Sequence, residues 1–153
     1  DRMKIPEILK PDSILLDTIG SSKKQILEEI AKSAALCTDC DSQVVFDALI
    51  ERERLGTTGI GKGVAIPHAR LSGLNDLHCA FFRTSGVDFE SIDGKKVDLI
   101  FCLLVPEESG ADHLKALAHI SKLLRNDNVC SALRTAATPK DILDIIAAND
   151  ADD

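Results

Sequence analysis

Apolar residues recur at helical spacing in five segments of the chain, and cap residues mark where most of these segments begin. The predicted helices run from the capping box Ser22-Lys-Lys-Gln25 to about Leu36, from the cap Asp41 to about Arg54, from the cap Asp112 through HLKALAHISKLL, around VCSALRTAA, and from Thr138-Pro139 through Ile146. Gly56 ends the second helix. In the third helix, the spacing predicts that Leu114, Leu117 and Leu124 face inward.

Stretches rich in β-branched or aromatic residues lie between these helices and predict strands at 14–16, 64–66, 79–84 and 97–105. The last stretch contains an unbroken apolar run, 99–105, which is typical of a central strand buried on both faces. Helices in pairs separated by such strands predict an α/β fold. We expect a single-domain three-layer sandwich over residues 1–153, in which a mixed β-sheet carries helices on both faces.

The composition argues against a nucleic-acid partner. The chain has 153 residues and a formal net charge of −7, whereas binding to nucleic acid or to anionic lipid needs a basic surface. There is no Trp or Tyr and there are five Phe, which leaves few rings for base stacking. The length is sufficient for one domain with a proper hydrophobic core.

Targeting signals are absent from the sequence as printed. No segment has the arrangement of a signal peptide, and the longest apolar run is far shorter than the about 20 residues that span a bilayer. We therefore expect a soluble, cytoplasmic protein with no direct membrane insertion. The five cysteines are expected to be reduced thiols. Cys37-Thr-Asp-Cys40 is expected to be a loop rather than a redox or zinc pair, and Cys79 and Cys102 are expected in the core.

The stretch GTTGIGKGVAIPHAR, residues 56–70, has four glycines in its first eight positions. Gly56-x-x-x-x-Gly61-Lys62 matches most of a nucleotide phosphate-binding loop. Gly63, however, stands where a Ser or Thr must hold Mg²⁺, and a strand follows where that loop needs a helix, which disfavours nucleotide binding. Two interpretations stay open: a glycine-rich hairpin or turn without chemistry, and a functional loop.

The surrounding residues favour a functional loop. No acidic residue occurs from Arg54 to Asn75, and Arg52 lies just before this window. Pro67 has a fixed φ and no N–H, and it biases the residue before it to extended geometry, so that His68 is held at a defined strand end. A neutral imidazole nitrogen can attack a phosphoryl group.

The segment TTGIGKGVAIPHAR resembles the active-site segment of the IIA components of the bacterial phosphoenolpyruvate-dependent phosphotransferase system (PTS), in the fructose and mannitol class, and most closely the nitrogen-regulatory IIA branch. The segments VVFDALIERERLGTTGIGKGVAIPH, VDLIFCLLVPEESGADHLKALAHISKLL and LRTAATPKDILDII resemble the same family in order and spacing. The resemblance covers nearly the whole chain.

The resemblance implies that His68 accepts the phosphoryl group as a tele-phosphohistidine, that His113 supports it by hydrogen bonding or transfer, and that Arg52 stabilises its charge. These assignments are chemically reasonable, because a phosphoryl group adds about −1.5 to −2 charges that an arginine fork, a helix N-terminus and backbone amides can stabilise. We expect the glycines to bring such amides close to the phosphate. Ala69 stands where many members of the family have glycine.

The resemblance also implies a phosphocarrier and regulatory protein, a component of a relay rather than a stand-alone enzyme. Its expected partners are an upstream phosphohistidine carrier protein of the HPr or NPr type and regulatory targets such as a kinase or a transporter. The alternative is a free-standing IIA component that passes phosphate to a IIB component for fructose- or mannitol-type sugar uptake. No cofactor is expected.

The remaining histidines do not predict a metal site. A zinc site from His68, His113 and a carboxylate is disfavoured, because the chain has no short-spaced ligand pair such as H-E-x-x-H. His119 lies about 240° around the helix from His113, so the two cannot share a face. We expect His119 to be structural or exposed, and His78 has no partner signal.

Overall fold

The computed structural model describes residues 4–150, in which a short helix and a first strand are followed by two helices, five strands and three helices. The elements in chain order are α1 (Ile5–Ile8), β1 (Leu9–Leu15), α2 (Lys23–Cys37), α3 (Ser42–Arg54), β2 (Gly59–Gly61), β3 (Val64–Ala65), β4 (His68–Leu71), β5 (His78–Val87), β6 (Val97–Pro106), α4 (Asp112–Leu124), α5 (Asp127–Thr135) and α6 (Pro139–Asn149).

The strands form one mixed sheet with β6 in its interior. The strand order is β1-β5-β6-β3-β2, and β4 also pairs with β6. β5 is antiparallel to β6, whereas β3 and β4 run parallel to it, one after the other along the same edge. Between them, the carbonyl of Pro67 accepts the N–H of Leu103 at 2.9 Å. The ladder therefore continues across a residue that has no N–H to donate, and His68 follows as the first residue of β4.

Helices cover both faces of the sheet. The alternate residues of β6 belong to two separate cores: Phe101 lies in the core that faces α1, α4, α5 and α6, and Cys102 lies in the core that faces α2 and α3. Successive side chains of a strand point to opposite faces, so a strand buried on both sides needs apolar residues at every position. The predicted three-layer α/β sandwich with a mixed sheet and a central strand is confirmed.

Three of the predicted caps are confirmed. Side-chain oxygens of Ser22, Asp41 and Thr138 accept backbone N–H groups in the first turns of α2, α3 and α6. The capping box at α2 is completed one residue earlier than predicted, because the side chain of Gln25 accepts from the N–H of Ser21 at 2.8 Å. These caps satisfy N–H groups that the helix itself leaves without partners.

The start of α4 differs from the prediction. Its N-cap is Ala111, and Asp112 is the first helical residue and makes no side-chain cap bond. Leu114, predicted to face inward, is 61% exposed. The buried residues of α4 are Ala116, Ile120, Leu123 and Leu124, so the prediction is confirmed for Leu124, and Leu117 is partly buried against the same core. This face keeps the helical spacing, but it is rotated away from Leu114 because α4 packs on the sheet through its carboxyl-terminal half.

Two short strands, β2 and β4, were not predicted, and β1 begins at Leu9 rather than at residue 14. The cysteines follow the prediction: all five are free, Cys37 is exposed at the end of α2, and Cys79 and Cys102 are buried in neighbouring strands. Burial raises the pKa of the Cys79 thiol to about 12. Within residues 4–150, none of the helices combines the length and the apolar character that crossing a bilayer requires.

Candidate functional site

The last turn of α3 and the first residue of β4 meet at the candidate site. The Nε atom of Arg52 donates a hydrogen bond to Nε2 of His68 at 3.2 Å. The same guanidinium donates from Nη1 to the carbonyl of Gly56 at 2.9 Å. The planar guanidinium of Arg52 is therefore fixed by two hydrogen bonds, one to His68 of the Pro-His motif and one to the backbone of Gly56.

The hydrogen bonds of His68 define its tautomer. Nδ1 lies 2.8 Å from the carbonyl oxygen of Ile66. A carbonyl oxygen can only accept, so Nδ1 carries the proton and the lone pair of Nε2 faces Arg52. Burial lowers the pKa of His68 below its ordinary value of 6.5, and the charge of Arg52 lowers it further, against the opposing effect of the bond to Ile66. Burial and the charge of Arg52 thus favour the neutral ring, in which Nε2 is the unprotonated nitrogen.

Glu53, next to Arg52, anchors the turn that follows α3. Its side chain is 5% exposed and pairs with Nζ of Lys23 at 2.8 Å. It also accepts from the N–H of Thr58 at 3.1 Å and from the Thr58 hydroxyl. Because Gly56 lies within the bridged turn, these bonds position the carbonyl that holds Arg52. Sequence reasoning missed Glu53, since its helical spacing does not distinguish it from an exposed glutamate.

His113 lies opposite, on the first turn of α4, and contacts Arg70. Nη2 of Arg70 lies 3.0 Å from Nδ1 and 3.1 Å from Nε2 of His113. Nη1 of Arg70 donates to the carbonyl of Glu107 at 3.0 Å. The sequence analysis assigned no role to Arg70. The signal that could have found it is its position two residues after His68, which places both on the same side of a strand.

One cavity of about 480 Å³ joins these groups. All three residues predicted for the site, His68, Arg52 and His113, line it together with Arg70. The rest of the lining includes the apolar side chains of Ala48, Leu55, Ala69, Leu103, Val105, Leu114 and Leu117. The cavity is open to solvent and its lining includes one carboxylate, that of Glu51, so its two guanidinium groups leave it with a net positive charge that favours an anion.

The glycines play a different part from the one predicted. Of the described residues that line the cavity, none belongs to 56–63. A Cβ on Gly63 would lie 2.7 Å from Nη2 of Arg134 and 2.9 Å from Oδ1 of Asp98, and one on Gly59 would meet the hydroxyl of Ser91. β2 and β3 form an antiparallel hairpin packed closely on these neighbours. Residues 59–65 form the predicted hairpin, Gly56 holds Arg52 through its carbonyl, and the described lining gives no support to glycine amides around a phosphate.

The other histidines lie apart from the cavity. Nε2 of His119 pairs with the buried carboxylate of Asp150, which also accepts the N–H of Ile5 at 2.9 Å, so His119 is structural. His78 is buried, and burial lowers its pKa. Within the part of the chain that the structure describes, no three His, Cys, Asp or Glu side chains are grouped so that they could hold a metal ion.

Comparison with known proteins identifies relatives across nearly the whole chain. The family described as "Phosphoenolpyruvate-dependent sugar phosphotransferase system, EIIA 2" matches residues 7–149. A nitrogen regulatory protein of Bradyrhizobium diazoefficiens is 45% identical over 146 residues, which cover 95% of each chain. A PTS system fructose-specific EIIA component of Haloferax volcanii is 36% identical over 151 residues, covering 96% of this chain and 97% of the relative.

Among solved structures, the crystal structure of nitrogen regulatory protein IIA-Ntr from Neisseria meningitidis is similar, with a TM-score of 0.89 and 38% identity. The match covers 93% of this chain and 98% of that one. Sequence and fold therefore agree on the same group of relatives.

Proposed function

The chain belongs to the EIIA 2 family of the phosphoenolpyruvate-dependent sugar phosphotransferase system, and we propose that it carries the phosphoryl group on Nε2 of His68. Its relatives support a phosphocarrier with a regulatory role. The observation that carries the proposal is the unprotonated Nε2 of His68, which faces a cavity lined by two arginines.

Transfer begins with the lone pair of Nε2 on His68 attacking the phosphorus of a phosphohistidine on the donor protein. The new N–P bond forms as the donor's N–P bond breaks, and that electron pair returns to the donor's ring nitrogen. The ring of His68 gains positive charge, and the carbonyl of Ile66, which accepts the Nδ1 proton at 2.8 Å, stabilises it. No proton needs to leave the ring during this step.

Arg52 changes its hydrogen-bond acceptor during the transfer. In the resting protein its Nε–H points at Nε2 of His68, the atom that will bond to phosphorus. When the phosphoryl group arrives, its oxygens replace the ring nitrogen as acceptor, while the carbonyl of Gly56 keeps Nη1 in place. Catalysis in this scheme is positioning and charge stabilisation, as in other phosphoryl transfers.

Members of this family interact with phosphocarrier and IIB partners. For this chain, we propose a phosphohistidine carrier protein of the HPr or NPr type as donor and a kinase or transporter as regulatory target. Leu55 and Leu114 support a docking protein here, because they line the cavity while 82% and 61% exposed. We further propose that residues 1–153 form one domain, which a single cooperative unfolding transition would support. We also propose that the protein is cytoplasmic, which cell fractionation tests.

A nitrogen-related role is favoured by the regulatory relatives at 45% and 38% identity. The second candidate is passage of phosphate to a IIB component for sugar uptake, which the fructose-specific relative at 36% identity supports. Incubation of the phosphorylated chain with a fructose-type IIB protein separates the two. Rapid transfer of label to that protein would support the sugar-uptake role.

The proposed acceptor is tested with labelled phosphoenolpyruvate, the general transfer proteins and the purified chain. We expect acid-labile label on the wild type and none on His68→Ala, with matching circular dichroism spectra for both. Nuclear magnetic resonance of ¹⁵N-histidine protein should place the phosphorus on Nε2. Equal labelling of His68→Ala, or phosphorus on Nδ1, would refute the proposal.

A further inference from the structure

Glu53 lies on the last turn of α3, beside Arg52, and its carboxylate is buried behind the candidate site. The side chain is 5% exposed and is not among the described residues that line the cavity. A buried carboxylate needs a partner, which Glu53 has in Lys23 at 2.8 Å. A negative charge next to an anion site also needs a reason, because it opposes the binding of the anion. Glu53 can act on the site only through other groups.

Two buried residues, Thr58 and Ile66, connect Glu53 to the ring of His68. The carboxylate accepts the N–H of Thr58 at 3.1 Å and also the Thr58 hydroxyl proton. The carbonyl of Thr58 accepts the N–H of Ile66 at 3.0 Å, and the carbonyl of Ile66 accepts the Nδ1 proton of His68 at 2.8 Å. Thr58 and Ile66 are 4% and 3% exposed, so water cannot readily replace these bonds. The bridge therefore ends on the ring nitrogen opposite the unprotonated Nε2.

The backbone of Glu53 supports the other side of the site. Its carbonyl accepts the N–H of Gly56 at 3.1 Å, and the carbonyl of Gly56 in turn accepts Nη1 of Arg52 at 2.9 Å. The backbone and the side chain of Glu53 thus hold the two ends of segment 56–58. One residue sets the positions of both Arg52 and His68.

The charge of Glu53 acts on His68 as well. The ionisable groups around the ring are Glu51, Arg52 and Glu53 of α3, Arg70 of β4 and His113 of α4. Burial is the largest cause of the lowered pKa of His68 and the charge of Arg52 adds to it, whereas the charge of Glu53 raises this pKa. A phosphorylated ring that keeps its Nδ1 proton is positively charged, like a protonated one. A negative charge that favours one therefore favours the other.

We propose that Glu53 is a positioning residue for phosphoryl transfer, whose carboxylate holds the Thr58–Ile66 bridge that orients His68 and whose charge stabilises the phosphorylated ring. The proposal rests on the proposed function, because the phosphoryl group is the one on His68. In that step the bond from Nε2 to phosphorus forms as the donor's N–P bond breaks, and the electron pair returns to the donor's ring nitrogen. No proton moves, so Glu53 is neither an acid nor a base. It sets how strongly the ring retains its phosphoryl group.

Three variants separate the bridge from the charge. Glu53→Gln removes the charge but keeps an oxygen for the N–H of Thr58 and an amide N–H for its hydroxyl. Glu53→Leu removes both the charge and the bridge, and Thr58→Val keeps the charge but loses the hydroxyl bond. Glu90→Gln is the matched control, because it removes the same charge from a side chain that is 77% exposed and pairs with the same Nζ of Lys23, at 3.4 Å. Circular dichroism checks that each variant folds. If Glu53→Leu does not fold, the other two variants decide.

The first measurement is the equilibrium distribution of labelled phosphoryl groups between a purified phosphorylated carrier protein and the chain, with kcat and KM of the transfer. We expect Glu53→Gln to shift the equilibrium toward the donor by about threefold to tenfold, as for one charge that a counterion partly screens. Glu53→Leu should also lower kcat by about 10²-fold, because the ring loses its orientation. Thr58→Val should lower kcat less and leave the equilibrium near that of the wild type.

The second measurement is nuclear magnetic resonance of the unphosphorylated ¹⁵N-histidine protein. Glu53→Gln should lower the titration midpoint of His68, because it removes the charge that raises the pKa of this ring. Glu53→Leu should give ¹⁵N shifts of a tautomer mixture, because Ile66 no longer holds the Nδ1 proton in place. A role in folding alone would move neither quantity.

Two results would overturn the inference: Glu53→Gln matching Glu90→Gln in both the equilibrium and the midpoint, or a folded Glu53→Leu that keeps the tautomer and the kcat of the wild type. A wild type that accepts no phosphate would instead refute the proposed function. The midpoint and the tautomer of His68 would still test Glu53 in that case, because both are measured without phosphate. The two failures are therefore distinguishable.

Discussion

The Nε atom of Arg52 lies 3.2 Å from Nε2 of His68, the ring nitrogen that the bond to Ile66 leaves without a proton. The resting protein thus keeps a cation at the nitrogen that we propose as the phosphoryl acceptor. Burial of the ring lowers the pKa of His68, and the charge of Arg52 lowers it further. In the proposed function, the same charge stabilises the phosphoryl group.

Substitutions of Arg52 should distinguish how much its charge and how much its hydrogen-bonding geometry contribute to the rate of phosphoryl transfer. We expect Arg52→Gln to slow phosphoryl transfer to His68 by about 10²-fold, and Arg52→Lys to slow it less, because lysine keeps the charge without the fork that also reaches Gly56. Transfer kinetics with labelled donor measure both, and Arg54→Gln serves as the charge-matched control. If Arg52→Gln matched that control, Arg52 would have no part in the transfer.

The acid limit of the reaction should reflect His68. Because burial lowers its pKa below 6.5, the nucleophilic form persists to a lower pH than for free imidazole. Its contribution to the free energy of unfolding is fully present above pH 6.5 and is lost as the pH falls through the folded-state pKa. A histidine titration by nuclear magnetic resonance should give a midpoint below 6.5, and a higher one in Arg52→Gln. A wild-type midpoint at or above 6.5 would contradict this.

Two glycine variants test the structural role of the hairpin. Gly63 and Gly73 have φ values of +81° and +87°, so alanine is strained at either position, by about 1–2 kcal/mol. Only the Cβ at Gly63 meets close neighbours, Arg134 and Asp98, whereas nothing lies within 4 Å at Gly73. We expect Gly63→Ala to lower the free energy of unfolding by about 1–3 kcal/mol more than Gly73→Ala, as for overpacking.

Denaturant titration measures that difference, and the labelling assay accompanies it. Both glycine variants should still accept phosphate, because the cavity does not include the hairpin. Loss of labelling in a folded Gly63→Ala protein would restore the idea of glycine amides around the phosphate.

His78 should make the wild type sensitive to acid. It is buried, and its Nε2 has no hydrogen-bond partner among the described residues. Burial lowers its pKa, so below about pH 6.5 the unfolded chain binds a proton that the folded chain resists, and the free energy of unfolding falls. We expect His78→Leu to be stabilising, by about 1–3 kcal/mol in acid and by less at pH 8. An effect of the variant that is the same at pH 5 and pH 8 would count against this explanation.

The sequence by itself determined the layers of the fold. Helical spacing, the caps at Ser22, Asp41 and Thr138, and the apolar run of β6 all depend on residues within a few positions of one another, which is why they can be read from the chain. The placement of His68 after Pro67 was equally local. The assignment of Arg52 and His113 came from the family resemblance, and the structure brings both to the cavity of His68.

Only the tertiary structure decided how those residues work together. The contact between Arg70 and His113 joins positions 43 residues apart, and it depends on where α4 packs against the sheet. The same packing turned Leu114 outward beside the cavity. The carbonyl of Ile66 assigns the ring proton of His68, and the hairpin glycines turned out to pack on distant side chains. Local periodicity carries no information on such contacts, because they depend on the three-dimensional arrangement of complete elements.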